Sequence, residues 1–487
     1  MTEKIMNQDE VGYVVDSRDF LVFLDGLPTV SVNDMLQNQE GLRGWVNSLS
    51  EDKVEVLMVD DGQITPGQLF TKVPNRLGIA TGDYLLGRAI NPLGVPIDGK
   101  GLLSKAKNAP ILELEQTAPG IQNRKFITEQ FQTGITLIDT IIPIGKGQRE
   151  LVIGDAHSGK TSFLIDLVVN QKDKGVICIY ASIGKPVVAV RDLIDILHVN
   201  KALSHTIVIA ASSAEPAPLI FLTPKTAFTL AEYFQRKGQN VLVILDDLGT
   251  HAKVYREISL LGGKSPGRES YPGDIFYQHA HLLERAGNFA PHWGGGSITA
   301  LPVIELNLTD FTTFIPTNLM AMTDGHLLFK ASLHHLGARP AIDISLSVSR
   351  VGRQTQDRLS NLLSTKIRQI LSQAEELQTI SRFSAELPTQ TQLTLRQKRL
   401  IEEVLKQEPL TTIPKEIQVI LLGLILTTFM AEKDLAFMEK YKKVISGAFL
   451  SHPELTKITR VIPQLKNEEQ LIKVLEQAGP VLTQICS

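Results

Sequence analysis

Cysteine is nearly absent from this chain. Cys178 and Cys486 are the only two in 487 residues. They lie far apart with no metal-type spacing, which argues against a disulfide framework or a zinc site and suits a reducing, intracellular compartment. An excess of one charge is also missing. The 49 Lys and Arg against 52 Asp and Glu leave a formal net charge of −3, so neither nucleic acid nor an acidic membrane is expected as a bulk electrostatic partner. No long apolar run occurs. The most apolar stretch, VILLGLILTTFMA (419–431), has thirteen residues, whereas a membrane span needs about twenty. It is expected to form a buried helix, and any membrane association must then come through a partner. The N-terminal MTEKIMNQDEVG has no apolar core and does not read as a signal peptide. Internal repeats and low-complexity tracts are absent.

The composition itself is ordinary. With 43% hydrophobic and 21% charged residues, the chain suits a soluble globular protein with a sizeable core, and its length suggests about three domains. Residues 1–82 read as all-β. VGYVV, FLVFL, VEVLMV and QLFTKV are short, rich in Val, Leu and Phe, and separated by turn signals such as LDGLP and DDGQ, the pattern of a small barrel or sandwich. Residues 83–356 change character. ELVIGD, GVICIYASI, HTIVIAASS and VLVILDD are apolar runs of strand length with helical patterns between them, which indicates a parallel sheet covered on both faces. Residues 357–487 form a third, helical segment. The stretch TQDRLSNLLSTKIRQILSQAEELQTISRF leading into it carries apolar residues at three- and four-residue intervals. The expected fold class is therefore multidomain: an N-terminal β-barrel, a central α/β phosphate-loop domain and a C-terminal α-helical domain.

The stretch GDAHSGKTS (154–162) fits the phosphate-loop pattern G-x-x-x-x-G-K-[ST]. It follows a strand and opens a helix, the context the mechanism requires. Gly154 and Gly159 let the backbone turn its N–H groups toward phosphates, and the helix N-terminus adds partial positive charge. Lys160 is expected to reach the β- and γ-phosphates and Thr161 to ligate Mg²⁺. Asp155, Ala156, His157, Ser158 and Ser162 complete the loop. The second half of such a site is an acid at the end of an apolar strand. Asp246, directly after VLVIL, is the expected outer-sphere Mg²⁺ contact; otherwise it caps the following helix.

Hydrolysis asks for more than binding. A group must orient and polarise the attacking water, and in sites of this plan a carboxylate often follows the neighbouring strand. Here that strand runs into IGKPVV, and the side chain available is Lys185. A protonated lysine has three donors and no acceptor. The residues therefore point to binding without efficient turnover.

Several long runs now carry a resemblance: APGIQNRKFITEQFQTGITLIDTIIPIGKGQRELVIGD (118–155), SPGRESYPGDIFYQHAHLLERAG (265–287), GGGSITALPVIE (294–305), FIPTNLMAMTDGHLLF (314–329) and GARPAIDISLSVSRVG (337–352), with LLGRAINPLGVPIDGKG (85–101) upstream. The chain resembles the α-subunit family of F-type ATP synthases from about residue 10 to 450. The family's catalytic β subunits carry a Glu-Arg pair where this chain has IGKPVV, so the resemblance is to α. It implies a ring of alternating α and β subunits (α3β3), a central γ stalk, a peripheral stalk of δ and b subunits, and a membrane sector reached only indirectly. The head would lie peripherally on the cytoplasmic face of the membrane. The α sites would hold MgATP or MgADP without turning it over, while ATP synthesis, driven by a transmembrane ion gradient, and the reverse hydrolysis proceed at β. Arg350 in SVSRVG matches the family's arginine finger, with Ser347 on the same strand helping to position it. Arg339 and Pro340 match adenine-side contacts, Gln148 and Asp155 flank the loop, and Gln407 matches one of two glutamines near the adenine. Asp155 is expected to hold the loop rather than to touch nucleotide.

The sequence also departs from the family. Ala156, His157 and Ser158 replace an Arg-Gln-Thr run, the second adenine-side glutamine is Pro409, and Lys185 stands where the family has glutamine. A lysine there could pair with the γ-phosphate and raise ATP retention; an unchanged nucleotide off-rate in Lys185→Gln would count against this. The rotor-side Phe-Gly-Ser-Asp-Leu-Asp segment is replaced by RFSAELPTQ (382–390), where Glu386 would take over part of the acidic role. Only about ten residues precede the first strand, so peripheral-stalk docking is expected to be reduced or differently made. The competing reading is a stand-alone homohexameric phosphate-loop motor, which needs a water-activating carboxylate in cis that IGKPVV does not offer. A diverged paralogue that assembles without coupling to transport is a third.

Overall fold

The computed structural model describes residues 10–103, 109–306, 312–381, 388–431 and 433–486. Glu386 and residues 1–9, on which two of the expectations above rest, lie outside the described residues. The chain forms two compact units. The first comprises Met1–Phe126, Arg149–Ile153 and Gln171–Thr323; the second comprises Ile127–Gln148, Gly154–Asn170 and Asp324–Ser487.

The first unit opens with a closed six-strand barrel. Its strands are β1 (Val11–Arg18), β2 (Leu21–Gly26), β3 (Asp34–Asn38), β4 (Arg43–Leu49), β5 (Val54–Met58) and β6 (Leu69–Arg76), in the order β1-β2-β5-β4-β3-β6 with β6 pairing back onto β1. Closure leaves no free strand edge. Leu24, Leu36, Val46, Val56, Leu57 and Phe70 on these strands are fully buried. Strands β3 and β4 were not marked by the sequence runs. DMLQN is half polar, and it holds its place through Asp34, which is buried, accepts a bond from Ser31 N at 2.8 Å and pairs with Lys72 Nζ at 2.6 Å.

The α/β sheet of the same unit uses β7 (Ala89–Ile90), β8 (Glu150–Asp155), β9 (Val176–Lys185), β10 (Thr206–Ser212), β11 (Asn240–Asp246) and β12 (Ser297–Leu306), in the order β8-β12-β11-β9-β10-β7. The pairs β9–β10, β9–β11, β11–β12 and β10–β7 are parallel. Every residue of β10 is buried, as expected of a strand covered on both faces. The helices Val187–Val199, Ala217–Arg236 and Leu248–Leu261 connect these strands. A buried ion pair ties the layer together: Arg285 Nε and Nη2 reach the two Glu232 oxygens at 2.7 and 3.0 Å.

The second unit holds the phosphate-loop helix Lys160–Val169, an antiparallel pair of Gly325–Phe329 with Val348–Ser349, and the C-terminal helices beginning with Arg358–Ser381 and Thr389–Leu405. Asp139 is buried at its centre, accepting bonds from Thr133 N and Oγ1 and Gly134 N, each 2.8 Å, and from Gln418 Nε2 at 3.0 Å. Burial raises the pKa of its carboxyl despite these donors. The apolar run 419–431 is indeed buried over residues 419–424, but it is not one helix. Lys415–Leu424 ends, a turn follows, and Thr428–Ala431 begins again. Thr427 Oγ1 donates to Leu424 O at 2.6 Å, and both Glu476 oxygens bind Thr428, at its N–H and hydroxyl, each 2.7 Å. These side chains satisfy backbone groups that a continuous helix would use itself.

Candidate functional site

In the second unit the phosphate loop leaves β8 at Gly154. A Cβ there would stand 2.2 Å from Phe329 O, so only glycine allows the loop to pass the neighbouring backbone. Gly159 is left-handed at φ 90° and caps the helix that starts at Lys160, the turn that aims successive N–H groups outward. His157 is also left-handed, at φ 56°, and exposed, whereas Ser158 is buried and its hydroxyl donates to Asp155 O at 2.7 Å. Lys160 Nζ donates to the loop's own carbonyls, Gly154 O at 2.9 Å and Asp155 O. Asp155 Oδ2 accepts the N–H of Ala331 at 3.1 Å, a loop-holding contact. Thr161 and Ser162 are exposed on the first helical turn.

Beside the loop lies a cavity bordered by Gly159, Ser162, Arg339, Pro340, Gln407 and Pro409. Five residues singled out from the sequence, together with Pro409, therefore come together around one space. Gln407 is a poor reader of any ligand, however. Its Oε1 accepts from Thr136 N (3.0 Å) and Oγ1 (3.1 Å), and its Nε2 donates to Gly134 O (2.8 Å) and Thr411 O (2.7 Å). All its hydrogen-bonding capacity is spent on the wall. Gln148 is not on this cavity. It is fully buried, its Oε1 accepting from Gly145 N at 2.7 Å and its Nε2 donating to Ser349 Oγ at 3.0 Å. Two titratable bordering residues were not foreseen: Asp166 and His334. Asp166 lies one turn beyond Ser162 on the same helix face, a spacing that could have drawn attention to it.

In the first unit, Lys185 ends β9 with its ammonium 3.0 Å from Asp246 Oδ1 and 3.3 Å from Asp247 Oδ2. Tyr180, on the same strand, donates its hydroxyl to Asp246 Oδ2 at 2.8 Å. Burial pulls the Lys185 pKa down, but the carboxylates of Asp246 and Asp247 outweigh it and hold the ammonium above its ordinary value. Asp247, not Asp246, caps the next helix, accepting the N–H of Thr250 at 2.5 Å.

Arg350 is exposed at the end of the Val348–Ser349 strand. Ser347 is buried beneath it, donating to Asp343 O at 2.6 Å and accepting from Leu328 N at 2.9 Å. Ser349 was missed from the sequence. Its hydroxyl donates to Pro143 O at 2.6 Å and accepts from Gly352 N at 3.2 Å as well as from Gln148. Gly352 is equally constrained, since a Cβ there would meet Pro143 O at 1.6 Å.

In the second unit Thr161 offers an exposed hydroxyl, an oxygen donor of the kind Mg²⁺ takes. In the first unit Asp246 has Tyr180 on one oxygen and Lys185 on the other and keeps lone pairs of the kind that accept from a metal-bound water. Among the described residues no group of three or more His, Cys, Asp and Glu is placed to hold a metal ion, and no helix is long and apolar enough to cross a membrane.

Residues 134–349 match the nucleotide-binding domain of the ATP synthase alpha/beta family, and residues 356–478 match the C-terminal domain of the ATP synthase alpha/beta chain. The chain is 41% identical over 458 residues to ATP synthase subunit alpha of Metamycoplasma arthritidis, spanning 94% of this chain and 86% of that one. It is 38% identical over 481 residues to ATP synthase subunit alpha of Caldanaerobacter subterraneus subsp. tengcongensis, spanning 96% and 94%.

Proposed function

This chain belongs to the family of ATP synthase α subunits, and from that premise we propose that it holds MgATP or MgADP without hydrolysing it and lends Arg350 to the active site of a neighbouring β subunit. The observation that carries the reading is the Lys185 ammonium seated between Asp246 and Asp247. A charged ammonium has no lone pair with which to take a proton from water, and its carboxylate neighbours keep it charged. The phosphate loop binds the nucleotide through its N–H groups and Lys160, which exchanges its loop carbonyls for phosphate oxygens. Thr161 directly, and Asp246 through a water, hold the Mg²⁺, which neutralises phosphate charge.

Arg350 acts in trans. Its exposure supports this, because a finger must leave its own subunit to reach another's phosphate, and Ser347 and Ser349 fix the strand end from which it projects. Such fingers contribute about 10³ to 10⁵ in rate. The assembly is an alternating α3β3 head on a central γ stalk. A peripheral stalk of δ and b subunits ties it to the membrane sector, whose ion gradient drives synthesis, with the head on the cytoplasmic face of the membrane.

The test uses the full chain alone and mixed with a cognate β subunit. The chain alone is expected to bind MgATP with negligible turnover, and Lys160→Ala to abolish that binding. The mixture is expected to hydrolyse ATP and to lose at least about a thousandfold in Arg350→Ala. Turnover of several per second by the chain alone would overturn the proposal.

A further inference from the structure

The cavity beside the phosphate loop has a wall whose polar side chains are unequally free. Gln407 is saturated by Thr136, Gly134 and Thr411. Arg339 Nη1 donates to His334 O and Ala338 O, each 2.8 Å. Pro340 and Pro409 have no donors. Two titratable side chains keep capacity toward the space. Asp166 accepts the N–H of Leu410 at 2.8 Å on Oδ1. His334 packs against the loop, since a Cβ on Gly159 would lie 3.1 Å from its Cδ2.

We propose that His334 and Asp166 make nucleotide binding here proton-linked, so that a purine nucleotide binds more tightly when they are protonated and draws protons from solution as it binds. The inference rests on the nucleotide site proposed above. An anionic nucleotide beside His334 favours the imidazolium. A base laid over Asp166 removes its carboxylate from water and favours the acid, which offers a donor and an acceptor side by side where the carboxylate offers acceptors only. Both changes take up protons, and by linkage both make affinity rise as pH falls.

The free protein is poised for this. Desolvation, followed by the Arg339 charge and then His335, holds His334 below its ordinary pKa. Burial, partly offset by the Leu410 N–H, pushes Asp166 up to about 6. The charged and titratable groups bordering the cavity are Asp166, His334 and Arg339. His335 stands edge-on to His334 with ring centroids 6.3 Å apart, and the Gln407–Leu410 side contributes no titratable group to the border.

Isothermal titration of ADP into the full-length chain, in buffers of different ionisation enthalpy at pH 6.5, counts protons directly. Wild type is compared with His334→Phe, Asp166→Asn and the double variant. The ring and the acceptor survive in these changes, and thermal melts establish that each variant is folded. The nucleotide's own phosphate titrates in this range, but equally for every variant, so the difference belongs to the protein. Wild type is expected to take up roughly half a proton or more beyond the double variant. Its affinity is expected to gain about tenfold more between pH 8 and pH 6. Equal proton uptake and parallel pH profiles would overturn the linkage while leaving the nucleotide site standing. Failure of wild type to bind ADP at any pH would overturn both.

Discussion

Gln148 and Ser349 are joined by a hydrogen bond of 3.0 Å from Nε2 to Oγ, although they lie 201 residues apart in the chain. Ser349 immediately precedes Arg350, and through this bond the segment before the phosphate loop steadies the turn that carries the arginine. Loss of the hydroxyl takes one partner each from the Gln148 amide, the Gly352 N–H and the Pro143 carbonyl. Ser349→Ala is therefore expected to cost about 1–3 kcal/mol in urea unfolding. It should lower β-dependent hydrolysis more than ADP affinity, and an unchanged rate in the mixture would show that the turn does not need this hub.

Lys185 neutralises two carboxylates that sit side by side and are themselves mostly buried. Lys185→Ala leaves them without their shared cation, which is expected to cost about 2–4 kcal/mol. Lys185→Met keeps most of the side-chain bulk without the charge. Denaturant midpoints decide the cause: similar losses in the two variants are expected, and recovery in Lys185→Met would mean that packing, not charge, is what the lysine supplies.

The Arg285–Glu232 pair is almost wholly buried and bidentate, with the guanidinium also donating to Leu114 O and Thr229 Oγ1, each 3.0 Å. Glu232→Ala leaves a buried cation without its partner. A loss of about 3–5 kcal/mol is expected, against a much smaller one when both residues are exchanged for apolar residues of similar volume. Additive losses in that double-mutant cycle would contradict the coupling.

His251 and His279 are buried with ring nitrogens 3.1 Å apart, and His251 Nε2 lies 3.2 Å from Phe221 O. If Nε2–H of His251 donates to that carbonyl, His251 Nδ1 accepts from His279, and both rings are neutral. Desolvation, then repulsion between the rings, depresses His251, and desolvation lowers His279 to about 4. The unfolded chain then binds more protons than the folded one between about pH 6.5 and 4. Stability present above pH 6.5 is therefore lost as pH falls through that window, by up to about 3 kcal/mol for His279 alone. His279→Leu should flatten the acid limb of a stability–pH curve, and an unaltered limb would assign the acid sensitivity elsewhere.

Much of the architecture was legible because it repeats locally. Short runs rich in Val, Leu and Phe between turn signals marked four of the six barrel strands, and longer unbroken apolar runs marked the parallel sheet. The strands β3 and β4 escaped, because DMLQN and RGWVNSL acquire their pairing from neighbours rather than from their own pattern. The break at Leu424 escaped for a related reason: the cap at Thr428 comes from Glu476, 48 residues away. At the site, the phosphate loop could be read from four identities at fixed spacing, since backbone geometry demands them wherever the motif occurs. Gln148 illustrates the opposite case. Its position flanking the loop suggested contact with ligand, whereas folding turns its amide onto Gly145 and Ser349.

By itself the sequence determined the nucleotide loop, the missing carboxylate after β9 and the kinship to α subunits, because each is written in contiguous residues whose chemistry travels with them. Only the tertiary structure decided what Lys185 does with its charge, why Ser349 and Gly352 are needed around Arg350, and which side chains face the cavity. Those answers depend on carbonyls, carboxylates and rings brought within 3 to 4 Å from distant parts of the chain. Hydrogen bonds and ion pairs act only at that range, and sequence separation does not record it.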